Sequence, residues 1–318
     1  MSGMKLTKII FFSCIGSVGL YFLLSQLVKL EKKNLTRITS PLTDSAIVTP
    51  AVRPSVEEES QTGLQQLKDV VDNALTGTTG TYGIVIRSLK TGETFCMNEH
   101  KVFDPASLYK LWVMVTVYEQ IQNGQLQENQ ILSQDVSTLN KEFLVATDSA
   151  ERTEGTITFT VHDALTQMIT ISDNYAALLL SEKIRLSSVA TFLRENGLSE
   201  STVGTDGGSP TVTPSDIALF FEKLYQGQLA NQHHTDEMIN LLKNQKLNEG
   251  IPKYLPDQSE VAHKTGEIDA FKHDAGIVYT DSNEYIIIVM SDSDNPPGAQ
   301  ERIALISKAV FDYFTNKQ

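Results

Sequence analysis

The chain has 318 residues, enough for one large domain or two, and its 41% hydrophobic content is that of an ordinary globular protein. A formal net charge of −13 excludes nucleic acid, and any anionic membrane surface, as a partner held by charge. Two cysteines offer no disulfide framework, and the six histidines show no metal-ligand spacing, so neither metal nor cofactor is expected. The adjacent pair His233 and His234 reads as surface, since neighbours on a helix point in different directions.

Residues 1–8 form a short tail carrying Lys5 and Lys8. Ile9 to Val28 is an apolar run of twenty residues without a charge, long enough to cross a bilayer as a helix. A cleaved secretory signal is the rival reading, but the run is long for one and no small-x-small cleavage site follows. Residues 9–28 are therefore expected to be an uncleaved anchor. Lys29, Lys32, Lys33 and Arg37 outnumber the two lysines before the run, which by charge bias favours the opposite orientation. Large domains translocate with little regard to flanking charge, so the chemistry below places the C-terminal part outside a bacterial cell membrane, on a single-pass anchor. Residues 29–61 are rich in Ser, Thr, Pro and Glu and read as a disordered tether.

Residues 62–318 read as the folded domain. Leu64, Leu67, Val70, Val71, Ala74 and Leu75 recur at helical spacing. Thr81 to Leu89 reads as a strand, Lys90-Thr91-Gly92 as a turn, and Glu93 to Met97 as the hairpin partner. Helical patterns then dominate, over 106–121, 160–171, 174–184, 187–196, 214–226 and 235–247. Strands return at 261–264, 272–280 and 285–291, and 297–314 closes as a helix. Strands at both ends with helices between predict an α/β (α+β) fold: one antiparallel sheet built from the two termini, flanked by helices, plus an all-helical lobe.

Three short motifs carry the chemistry. Ser107 and Lys110 lie three residues apart at the start of the 106–121 helix, just after Asp104 and Pro105. Unpaired N–H groups there favour developing negative charge, and the Lys110 amine is on the serine's face of the helix. A serine beside an amine base is an activated nucleophile, although a serine opening a helix needs no chemistry to be there. Ser172-Asp173-Asn174 falls between two helical patterns, and Lys264-Thr265-Gly266 ends a strand. Alone, the first is an ordinary turn between helices and the second a basic residue closing a strand.

In this order the three resemble the signature of class A β-lactamases and penicillin-binding proteins, over a span from about Gly63 to the C-terminus. The resemblance implies a β-lactamase-like fold, and Ser107 as the nucleophile that becomes acylated. Lys110 would take the hydroxyl proton, its pKa lowered by burial and by a second amine, Lys264. Ser172 would hand a proton to the leaving nitrogen, while Asn174 holds the substrate's amide and Asp173 orients the turn. Lys264 and Thr265 would bind a substrate carboxylate, and Gly266 would let the ligand approach the backbone. The N–H groups of Ser107 and Glu267 would form the oxyanion hole. A Glu267 carboxylate beside a carboxylate-binding site is unfavourable unless its side chain turns away.

One departure matters. Class A β-lactamases carry a Glu-x-x-Leu-Asn pattern on a loop between the last two motifs, and its glutamate activates the water that releases the acyl group. The corresponding stretch here, Gly197 to Pro210, lacks that pattern; its carboxylates are Glu200 and Asp206. Acylation is thus equipped and deacylation is not, which predicts slow release. The leading expectation is a membrane-anchored serine hydrolase that opens a β-lactam or related amide through an acyl-enzyme. A D,D-carboxypeptidase acting on peptidoglycan peptides is the alternative within enzymes, and a non-catalytic receptor for lactams or wall fragments is the alternative outside them.

Overall fold

The structure is a computed structural model that describes residues 56–205 and 209–316. The span expected at 9–28, most of the tether, and Asp206 lie outside the described residues, among which no helix is long and apolar enough to cross a membrane. The described residues form one compact unit.

Helix α1 (Val56–Leu75) precedes the hairpin β1 (Thr81–Ser88) and β2 (Thr94–Met97). It starts earlier than its apolar period indicates, within the stretch read as tether. The last three strands are β5 (Glu260–Ile268), β6 (Phe271–Tyr279) and β7 (Tyr285–Asp292). They join the first two in a five-stranded antiparallel sheet, ordered β2-β1-β7-β6-β5. The chain therefore closes its sheet by pairing β1 with β7, Thr81 opposite Asp292 and Ser88 opposite Tyr285.

Side chains alternate between the two faces of each strand, and both faces of this sheet are covered. Ile84, Ile86, Ile287 and Val289 face a core shared with Leu67 and Val71 of α1 and with Ile303, Ile306 and Val310 of α9 (Pro296–Asn316). Val85, Ile286, Ile288 and Met290 face the second core, which continues into the helical lobe. Burial on both sides explains why these strands read as unbroken apolar runs.

The lobe is organised around α2 (Lys110–Gln122), buried on all sides from Lys110 to Tyr118 and continuing from a 3-10 turn at Ala106–Tyr109. A helix apolar all round belongs in a protein interior, and so α2 holds Lys110 on rigid ground. Around it come α3 (Val136–Glu142), α4 (Val161–Thr170), α5 (Asn174–Ile184), α6 (Leu186–Glu195), α7 (Pro214–Tyr225) and α8 (Gln232–Lys243). Four of these helices start on side-chain caps, Thr160, Asp173, Thr213 and Asn231, each accepting a backbone N–H of the first turn.

The sequence reading misses a second, two-stranded sheet of β3 (Ile131–Asp135) and β4 (Thr156–Thr160). The Thr-Ile-Thr-Phe-Thr alternation of β4 is a strand pattern, and it runs directly into the helical period of α4, which hides it.

Candidate active site

The segment before α2 is shaped by local chemistry. Asp104 Oδ1 accepts the Ala106 N–H at 2.8 Å, and Pro105 O accepts that of Leu108 at 2.9 Å, closing the 3-10 turn. Ala106 is forced to a φ of 44°, a left-handed conformation that costs a non-glycine residue about 1–3 kcal/mol. His273 of β6 holds the turn down: its Nδ1 accepts the Ser291 N–H at 3.2 Å, leaving Nε2–H to donate to Asp104 O at 2.8 Å. Burial lowers the pKa of His273, in keeping with this neutral tautomer. Gly266 of β5 packs against the same turn, and a Cβ there would meet Pro105 O at 3.1 Å and Leu108 Cγ at 3.2 Å. The missing side chain is thus used first by the protein itself, to bring the Lys-Thr-Gly strand against the serine turn.

Ser172 occupies the junction between α4 and α5 with a φ of 61°. Asp173 caps α5 through the Ala176 N–H at 2.7 Å, which fixes the turn. Two strained non-glycine residues therefore flank this one region, as they do where a scaffold over-determines a site.

The three motifs meet here. Lys110 Nζ donates to Ser172 O at 2.6 Å, Ser172 Oγ at 3.1 Å and Asn174 Oδ1 at 2.7 Å. Lys264 Nζ donates to the same Ser172 Oγ at 3.0 Å and to Thr265 O at 2.8 Å. Two amines thus share one hydroxyl oxygen, and both are fully buried. Burial lowers the pKa of Lys110 to about 8, with the carboxylates of Asp173 and Glu151 pulling the other way. Burial, reinforced by the Lys110 charge and opposed by Asp274, lowers that of Lys264 to about 7.

Ser107 sits in the 3-10 turn, half-buried, and lines a cavity of about 510 Å³. Ser172, Asn174, Thr265, Gly266 and Glu267 line it too. The Ser107 N–H is at the open start of the turn, where a helix offers no acceptor of its own. Lys110 does not bond Ser107 directly: among the described residues its three amine contacts are those to Ser172 and Asn174. Geometry at the turn explains this, because the amine lies between two motifs and three acceptors of the second saturate its donors.

Glu267 has an answer in the strand register. It pairs across the hairpin with Lys272, and the two side chains form an ion pair. Several participants carry no motif. Glu151 Oε1 accepts the Asn174 Nδ2–H at 2.6 Å, so the Asn174 amide is oriented by Lys110 on one side and Glu151 on the other. Behind Lys264, buried His263 bonds Asp274 Oδ1 through Nδ1 at 2.8 Å and Asn248 Oδ1 through Nε2 at 3.2 Å. Asp274 Oδ2 accepts the Ile251 N–H at 2.7 Å, and Gly250 lies against it so closely that a Cβ would be 2.2 Å away. This network holds the 246–249 wall of the cavity in place.

Among the described residues, the stretch around Glu200 adds no side chain to the cavity. Glu200 is committed to His100 Nδ1 at 2.9 Å and accepts the Thr213 hydroxyl at 2.9 Å; it does not line the cavity. Among the described residues, the carboxylates that line it are Glu249 and Glu267, and each pairs with a lysine, Lys253 and Lys272.

This fold is shared widely. A β-lactamase from Sphaerobacter thermophilus superposes with a TM-score of 0.70 at 23% identity, covering 80% of this chain and 98% of that one. PBP-A gives 0.69 at 21% identity, covering 79% and 96%. A representative class A β-lactamase from Bacteroides cellulosilyticus gives 0.66 at 21%, covering 80% and 99%. No curated protein matches the chain. The model of the family described as "Beta-lactamase enzyme family" matches residues 65–314, most of the chain, and contains all three motifs and every residue of the cluster described above. The chain belongs to the β-lactamase enzyme family and is a serine β-lactamase-like hydrolase.

Proposed function

We propose that the protein opens a β-lactam or related amide by acylation of Ser107, and that the acyl group leaves slowly. The observation that carries this reading is the Ser172 hydroxyl shared by two amines of lowered pKa, beside a cavity that exposes Ser107. With pKa values of about 8 and 7, one amine is neutral in an appreciable share of molecules at neutral pH, where an ordinary lysine is not. When an amine is neutral, the proton of Ser107 can pass to this buried group, directly or through Ser172. Both lone pairs of Ser172 Oγ are taken when both amines donate, so its own proton is free to go to the leaving nitrogen. The nascent oxyanion would be met by the N–H groups of Ser107 and Glu267. Lys264 and Thr265 would receive a substrate carboxylate, with Glu267 neutralised by Lys272. Asn174 keeps a second N–H for a substrate carbonyl.

Slow release follows from the carboxylates of the cavity. No carboxylate among the described cavity residues is free of a lysine, and lacking a general base for water typically costs about 10²–10⁴-fold. A mutant of PBP-A is known as an acyl-enzyme with penicillin G, the intermediate assigned here to Ser107. A D,D-carboxypeptidase would use the same acylation machinery on a wall peptide, and the absence of an unpaired carboxylate in the described cavity favours it equally. We further propose that residues 9–28 anchor the chain in a bacterial membrane with the hydrolase outside, on the strength of that uncharged apolar run.

Incubation with a fluorescent penicillin, followed by gel and peptide mapping, separates the readings. Label on Ser107 that persists after the free reagent is removed is the expected result. Label lost within the time of mixing would establish an efficient lactamase, and no label would leave only a binding role. Release of D-alanine from a pentapeptide would mark the peptidase.

A further inference from the structure

Away from the cleft, a second polar cluster has no role in the chemistry above. Glu128 lies in the loop between α2 and β3, while His233, His234 and Glu237 lie on the first two turns of α8. Each offers one ligand atom, and the four atoms lie within 4.8 Å of one another. None of the four lines the Ser107 cavity. The expectation that adjacent histidines diverge does not hold here, since the two rings are 5.2 Å apart and inclined by 39°. His234 is buried, its ring tilted against that of Tyr118 at 5.3 Å, which fixes one imidazole at the base of the cluster.

Among the described residues Glu237 Oε2 is buried without a hydrogen-bond partner, and a buried carboxylate oxygen left so is costly. Its other oxygen is 3.7 Å from His233 Nε2, beyond hydrogen-bond range. Glu128 Oε2 comes no closer than 4.0 Å to His162 Nδ1. Among the described residues neither carboxylate pairs with a lysine or arginine. Two carboxylates converge, two imidazoles join them, and among the described residues the one hydrogen bond made by these four side chains is a long one, from Asn231 Nδ2 to His234 Nδ1 at 3.3 Å.

We propose that Glu128, His233, His234 and Glu237 form a binding site for a divalent transition-metal ion of the zinc class. Two imidazole nitrogens and two carboxylate oxygens are a donor set for four-coordinate zinc, whereas calcium and magnesium take oxygen ligands. With ligand bonds of about 2.0–2.2 Å the donors must close in by about 1 Å, which the exposed His233 and half-buried Glu128 are free to do. The ion would staple the loop before β3 to the start of α8 and satisfy the orphaned Glu237 oxygen. Its role is structural, since every protein position at the site is filled by a side chain and the cleft lies elsewhere.

The test uses the full chain, stripped with a chelator and titrated with zinc chloride in a calorimeter. One ion per chain is expected, with a rise in melting temperature of about 5 °C at a hundredfold excess over the dissociation constant. Cobalt(II) is expected to give the intense visible absorption of a tetrahedral site. E237Q keeps the shape of the side chain and removes the charged ligand, so it is expected to fold, to acylate Ser107 as the parent does, and to bind zinc at least about tenfold more weakly. H234A is expected to lose the cobalt spectrum. Absence of zinc binding, equal binding by the parent and a folded E237Q, or only the weak spectrum of octahedral cobalt would each overturn the proposal.

Discussion

The cleft and the stretch around Glu200 are built on different principles. In the cleft, Lys110, Ser172, Asn174 and Lys264 form a continuous chain of hydrogen bonds in which Ser172 Oγ receives two amines; Ser107 lines the same cavity, and buried partners such as His273 fix the turn that carries it. Outside the cavity, Glu200 is spent on His100 and Thr213, and the bridge from Val212 to Phe103 docks that neighbourhood to the residue before the serine turn. Under the proposed reaction, the contrast means that forming and breaking an acyl-enzyme are separately encoded: the groups for the first step converge, while the carboxylates among the described cavity residues are both paired with lysines.

Substitutions can break this comparison at graded cost. Ser107→Ala removes the only atom the acyl group can occupy in this account, so covalent labelling by penicillin, read by intact-mass spectrometry, falls to zero. Lys264→Ala and Lys110→Ala each remove one amine from Ser172 and are expected to slow acylation by about 10²–10⁴-fold in stopped-flow labelling, with the folded state checked by circular dichroism. The pH profile sharpens the same point. Lys110 accepts the proton when neutral and its pKa is lowered to about 8, so the acylation rate should climb as pH rises toward that value and level off above it. A rate still climbing steeply near the ordinary lysine value would refute the role of burial.

His273→Ala strands the Asp104 carbonyl and the Ser291 N–H, at about 1–3 kcal/mol in a denaturant titration, and loosens the serine turn. Its effect on acylation should exceed that of any change in the 197–205 segment. Glu151→Gln keeps an acceptor for Asn174 and loses only charge, so acylation should change by no more than about threefold, a neutral bond having roughly half the strength of a charge-assisted one.

How far residues alone revealed this site depends on distance along the chain. Ser107 and Lys110 lie within one turn, Ser172 and Asn174 within three residues, and Lys264 to Glu267 within one strand end, so short motifs bring them to notice. Glu151, His263, Asp274 and His273 act across tens of residues with no fixed spacing, and only folding brings them to the motifs. Lys272 is the instructive middle case. Asp269, at a φ of 46°, lets β5 and β6 turn over two residues, and that register puts Lys272 opposite Glu267. Ending the first strand at Lys264 in the sequence reading hides the pair. The fold was legible because its strands are apolar on both faces and its helices strongly periodic. The small β3–β4 sheet was not, being five residues a side and one face exposed. The convergence of His233 and His234 with Glu128 likewise depends on a loop from another part of the chain.

The most direct test is the time course of a chromogenic lactam mixed with the full chain in slight excess over enzyme. Fast acylation with slow release predicts a rapid burst of about one equivalent, assigned by mass to Ser107, followed by a steady phase slower by about 10²-fold or more. Linear turnover from the first moment, with no adduct accumulating, would contradict it.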